Sequence, residues 1–158
     1  MSKYLSTALV AAIWVTLDQA TKWYVRTTVP LYQSVPVIDG LFSITHVRNT
    51  GGAFSLFATA SPAFRMPFFL VVSLLAIGVL LYFVYKADAH HRWLLGGLGL
   101  ILGGALGNLI DRMVAGAVTD FFDAHWRGYV WPAFNVADSG ITVGMIILLL
   151  HSFLAPNE

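Results

Sequence analysis

From Met66 to Tyr85 twenty residues pass without a charged side chain. That matches the ~20 residues a helix needs to cross ~30 Å of hydrocarbon. A second run, Ser139 to Asn157, is nineteen residues long. Two more spans are nearly as apolar, so helices are expected at about 4–24, 66–85, 93–114 and 133–154. Of the 158 residues 58% are hydrophobic and 11% charged, against about 25% charged in a soluble domain. Such a chain uses lipid as its solvent. The expected fold is a membrane all-α domain over residues 1–158, with four transmembrane helices. The first apolar segment follows Lys3 but lacks a small-residue cleavage site, so it reads as a retained helix. Trp23, Tyr24, Tyr82, Tyr85, Trp93, Tyr129 and Trp131 near span ends suit an interfacial belt. Pro132 is expected in the first turn of the last helix.

Four alternating spans put the end of the first helix, the end of the third and the start of the fourth on one side. The polar residues within the spans follow that rule. Asp18 and Lys22, Asn108, Asp111 and Arg112, and Asn135 and Asp138 all converge there. Charges near hydrocarbon are costly and call for a reason. The two long loops share this face. The first (about 29–57) carries Asp39-Gly40 between β-rich runs, a two-residue hairpin signal. GGAFSLF is expected to add a third strand, making a small sheet or cradle over the polar face. Gly99, Gly103 and Gly107 form a ridge for close helix packing. Charge counting does not orient the chain. Lys3, Lys86 and Arg92 lie on one side, while Lys22, Arg26, Arg48, Arg65, Arg112 and Arg127 lie on the other. The net charge of +1 and the lack of a basic run argue against nucleic acid. The absence of cysteine excludes disulfides, thiolate metal sites and cysteine nucleophiles.

Each motif has a plain structural reading beside a functional one. In DQATK, Asp18 and Lys22 stand one turn apart and suit an internal ion pair. In NTGGAFS, Asn49 and Gly51 read as a turn or as a loop that holds a peptide backbone. In GNLIDR, Asn108 and Arg112 are one turn apart and could hold one ligand group. In VTDFFDAHW, Asp120 among apolar neighbours should have a raised pKa. In FNVADSG, Asp138 gains from a helix N-terminus, and Asn135 shares its face.

Together, Asp120 and Asp138 suggest more than capping. Two carboxylates that share one proton can hydrolyse a peptide bond. One takes a proton from water, and the other polarises the carbonyl and protonates the leaving amine. Other chemistries lack support: there is no HExxH, and the five histidines show no ligand spacing. A proton relay would spread its acids through the membrane depth, whereas these gather at one face. A scaffold with purely structural polar clusters is the third reading.

The five motifs, in this order on a four-span chain, strongly resemble the bacterial lipoprotein signal peptidases (signal peptidase II). The resemblance covers nearly the whole chain. It implies an aspartyl endopeptidase of the bacterial inner membrane that removes the signal peptide from diacylglyceryl-modified prolipoproteins, cutting before the lipidated cysteine. Asp120 and Asp138 would be its catalytic pair. Asp18, Lys22, Asn49, Gly51, Asn108, Arg112 and Asn135 would support the pair or line the substrate and inhibitor site. It further implies no metal or organic cofactor, inhibition by globomycin-type peptides, cytoplasmic termini and a site on the periplasmic side. A monomer embedded in membrane lipid is expected.

Overall fold

In a computed structural model, residues 2–52, 56–57 and 59–154 are described. Four helices accompany a small antiparallel sheet: α1 (Lys3–Thr28), β1 (Ser34–Ile38), β2 (Phe42–Asn49), α2 (Pro62–Lys86), α3 (Arg92–Ala115), β3 (Val118–Trp126), β4 (Tyr129–Val130) and α4 (Val136–Leu154). Among the described residues α2, α3 and α4 are long and apolar enough to cross a membrane. α1 is 26 residues long, but three charged residues, Asp18, Lys22 and Arg26, interrupt its second half.

α3 is the central helix, and its glycines explain why. A Cβ on Gly103 would strike Trp14 and the Ala11 backbone of α1, while one on Gly104 would strike Ala137 and Ile141 of α4. Glycine lets the helix backbones approach where larger side chains would hold them apart. The apolar core joins Ala11 of α1, Leu80 and Val84 of α2, and Leu95, Leu98, Ile101 and Leu102 of α3. Elsewhere the helices turn apolar side chains outward, such as Leu74, Leu75 and Val79 on α2. That is the surface a bilayer solvates.

Helix ends differ from the sequence-based bounds in ways the chain explains. α1 runs four residues beyond Tyr24, to Thr28. α2 begins at Pro62 and includes Pro67 within its first two turns. Pro132 lies before α4, outside it. There the chain first pairs Phe134 with Phe122 in an isolated bridge, and α4 starts only at Val136. Asn135 is therefore the capping residue and does not sit in the first turn. Its Oδ1 accepts from Asp138 N–H at 2.9 Å, and Asp138 Oδ2 accepts from Asn135 N–H at 3.2 Å. This reciprocal pair is a capping box. Trp14 Nε1 donates to Val136 C=O at 2.9 Å and ties the start of α4 to α1.

The sheet order is β1-β2-β3-β4. The Asp39-Gly40 hairpin forms, but its loop has three residues: Ile38 pairs with Phe42, and Gly40 takes φ +72°. Glycine adopts that conformation without steric cost. The third strand of the sheet does not come from the described part of GGAFSLF. Ala53–Ser55 lie outside the described residues, and Gly51, Gly52, Leu56 and Phe57 are turns and bends. The second loop supplies it instead, as β3. Asp120 pairs with Val47, and Val118 pairs with Asn49.

Candidate active site

Three levels of polar contact build the site, starting inside the helices. Lys22 is fully buried, with Nζ 2.8 Å from Asp18 Oδ2 and 3.1 Å from Asp111 Oδ2. Its third partner is Asn108 Oδ1 at 2.9 Å. An ammonium has three donors, and here each has an oxygen. A buried charge is tolerated only when paired this way. Asp18 Oδ1 also accepts from Ala137 N–H at 2.8 Å, so α1 holds α4 as well as α3.

Next comes a clamp on the start of β3. Asp111 Oδ1 accepts from Arg26 Nη2 at 2.6 Å, and Asp111 Oδ2 accepts from Thr119 N–H at 3.0 Å. Arg26 Nε donates to Thr119 Oγ1 at 2.8 Å. Thr119 C=O accepts from Asn135 Nδ2 at 3.3 Å. The residue just before Asp120 is thus fixed through its N–H, its hydroxyl and its carbonyl. Gln19 closes the cluster, donating to Asp18, to Gly107 C=O and to Asp111. Sequence reasoning did not single out Arg26, Thr119 or Gln19. The available signal was the four-residue spacing of Asp18, Lys22 and Arg26 on one helix face.

The two aspartates occupy the outer level. Asp120 Oδ1 accepts from Asn135 Nδ2 at 2.7 Å, and its Oδ2 accepts from Asn49 Nδ2 at 3.0 Å. Asp138 Oδ1 accepts from Asn108 Nδ2 at 2.8 Å, and its Oδ2 from Asn135 N–H. Asn135 is fully buried and bonds both carboxylates. Asn108 links Asp138 back to Lys22. The Asn49 amide is held in turn, because its Oδ1 accepts from Gly51 N–H at 2.9 Å. Arg112 donates to Asn108 C=O at 3.3 Å and Gly51 C=O at 3.4 Å. Its guanidinium lies 5.1 Å from the Phe69 ring centroid, and its charge acts on Asp138 and Asp120. Every sequence-named site residue therefore belongs to one connected group.

Burial pushes the Asp120 carboxyl up to about 6, and the negative charge of Asp138 adds to it. The Asn49 and Asn135 amides work against that rise. Asp120 is 3% exposed, while Asp138 is half-buried. A proton is thus favoured in the pair at mildly acidic pH, as an acid–base couple requires.

Both aspartates line one cleft of about 920 Å³. Asn49 and Trp131 line it as well. From there it continues as a groove between Val72, Ser73 and Ala76 of α2 and Ile141, Thr142 and Val143 of α4. α2 and α4 both pack on α3, and Ala105 lies in the lining between them.

The chain is also similar to known proteins in sequence and in fold. Residues 10–154 match the family described as Signal peptidase (SPase) II. A lipoprotein signal peptidase of Desulforapulum autotrophicum is 51% identical, covering 90% of this chain and 88% of that one. One from Geobacter sulfurreducens is 54% identical, covering 84% and 81%. A bacterial membrane enzyme solved by the in meso method at 2.3 Å resolution aligns with TM-score 0.83 and 35% identity, covering 96% and 92%. With the whole polar group falling inside the matched residues, the chain belongs to the signal peptidase II family of membrane peptidases.

Proposed function

We propose that Asp120 and Asp138 are the catalytic pair of this signal peptidase, which removes signal peptides from prolipoproteins. The observation that carries the reading is their shared partner: Asn135 bonds both carboxylates where they line one cleft. Asp138, as the ionised member, takes a proton from a water placed between the two acids. Asp120, as the protonated member, polarises the scissile carbonyl. The water oxygen then bonds the carbonyl carbon, giving a tetrahedral intermediate. Proton return to the amide nitrogen releases the new amine as the C–N bond breaks. Asn49, Asn108 and Asn135 orient the carboxylates, and Arg112 holds the Gly51 turn beside them.

The rest of the reading follows from a lipid-anchored substrate. The cut falls just before a cysteine carrying diacylglycerol, whose acyl chains occupy the groove between α2 and α4. α1 acts as a fourth span, since Lys22 and Arg26 have carboxylate partners on α3. The chain works as one integral-membrane unit in the bacterial inner membrane, with both termini cytoplasmic and the cleft on the periplasmic side. It acts as a monomer and is blocked by globomycin-type peptides. Purified variants test the core of this. Asp120→Asn and Asp138→Asn should each lower cleavage of a lipidated prolipoprotein by roughly 10⁴-fold, the scale on which catalytic groups fail, with the fold retained. Cleavage within tenfold of wild type in either variant refutes the assignment.

A further inference from the structure

Beyond the strand segment that carries Asp120, the β3–β4 hairpin has no place in the chemistry above, yet its composition is unusual. Its tip reads Trp126-Arg127-Gly128-Tyr129-Val130-Trp131, with Arg127 its one charge. Trp126 pairs with Tyr129. Arg127 and Gly128 between them take φ +47° and +87°, the positive values of a tight two-residue hairpin turn. Every large apolar side chain here faces outward: Trp126 is 59% exposed, Tyr129 79%, Val130 72% and Trp131 61%. The Arg127 guanidinium lies 5.1 Å from the Trp126 ring centroid.

Four such side chains in water would be an association hazard. At a lipid headgroup layer they are the favoured residues, because indole and phenol rings present an apolar body and a polar tip. Position supports that occupant. The membrane-length helix α4 begins at Val136, only a few residues after Trp131. At most about 17 Å of extended chain lies between them. The hairpin thus lies close in the chain to the start of a helix whose exposed side chains include Val143 and Ile146. Trp23 and Tyr24 are likewise exposed near the end of α1. Charge complements the same partner: a stacked guanidinium keeps its in-plane donors for a phosphate oxygen.

We propose that the Trp126–Trp131 hairpin is an interfacial anchor, which seats its aromatic rings among phospholipid headgroups and binds a lipid phosphate through Arg127. Trp131 also lines the cleft, so this anchor sets the depth at which the cleft meets the bilayer surface. The anchor goes beyond the catalytic reading, and its primary test needs no activity.

The chain has no cysteine, so Tyr129→Cys carries a single spin label. In phosphatidylcholine–phosphatidylglycerol vesicles the label should report headgroup depth, with a ratio of oxygen to nickel-chelate accessibility between that of a soluble control peptide in water and that of a label on the outward face of α2. Fully aqueous accessibility overturns the anchor. Accessibility that changes with the protein-to-lipid ratio overturns it in favour of contact with a second copy. Adding Arg127→Glu should raise chelate accessibility at least twofold, while Arg127→Lys leaves it near wild type. No change with Arg127→Glu overturns the phosphate contact. As a second readout, lipids brominated near the headgroup should quench wild type more than Trp126→Phe. A Trp126 contribution, taken as wild type minus Trp126→Phe, that the bromines leave unquenched places that ring in water and overturns the proposal.

Discussion

Asn135 serves two purposes that compete for most residues. As an N-cap it satisfies the first turn of α4, and through the same amide it reaches Asp120. Replacing it by alanine removes both, and losing a cap alone costs about 1 kcal/mol. Asn135→Ala should therefore lower thermal stability modestly and kcat by one to two orders of magnitude. A stability loss with normal kcat would reduce Asn135 to a cap. Asp120 offers a second residue-scale prediction. Burial and the Asp138 charge raise its pKa to about 6. Because the folded pKa lies above the unfolded one, the folded state binds the extra proton. The associated stability is fully present below about pH 4 and is lost as pH rises through about 6. Asp138→Asn removes one of the two raising causes. Carbon-13 carboxyl shifts should then show Asp120 titrating below its wild-type value. An unchanged titration would mean that Asp138 does not act on Asp120.

At the scale of elements, β3 is held by more than its ladder. Arg26 and Asp111 grip Thr119, so α1 and α3 aim the strand that carries Asp120. Thr119→Val keeps the shape and the backbone bond but removes the hydroxyl. It should lower kcat about three- to tenfold with KM nearly unchanged, in line with one lost hydrogen bond. An equal change in KM would locate the effect in binding. The helix contacts make a stronger demand. At Gly107 an added Cβ would collide with the Asp18 carboxylate, which bonds Lys22 and Ala137 N–H. Gly107→Ala should thus lower the melting temperature in detergent and weaken cleavage together, whereas Gly96→Ala, with open space at its Cβ, should change neither. The sequence exposed some of this and hid the rest for physical reasons. Charge-free runs revealed the helices, since bilayer thickness dictates their length. The glycine ridge pointed to close packing for the same kind of reason. The clamp was hidden because Arg26 and Thr119 meet over a separation of 93 residues. β3 was hidden because Phe121 and Phe122 both bond Phe134 C=O through their N–H groups. That irregularity breaks the alternation by which a strand is read. Pro132 misled because it fits a helix start, while here the Phe134–Phe122 bridge delays that start.

At the scale of the whole molecule, the outermost helices matter most for what the cleft can admit. α2 and α4 lean on α3 and leave the groove between them. One end of that groove holds the aspartates, and the other is lined by Val72, Ala76 and Val143. A substrate with two acyl chains cannot approach from water without exposing them, at about 0.8 kcal/mol per CH₂. On the proposed reading, a lateral path would keep them in lipid throughout and bring the peptide to the carboxylates. Filling the groove should then act on binding and spare the chemistry. Ala76→Trp places its bulk in the groove wall without touching the bonds of Asp120 or Asp138. KM for a diacylglyceryl peptide should rise at least tenfold, with kcat within about twofold of wild type, because only contacts shared by ground and transition states are lost. A fall in kcat at constant KM would mean that the groove shapes the scissile bond and does not serve as the lipid's seat.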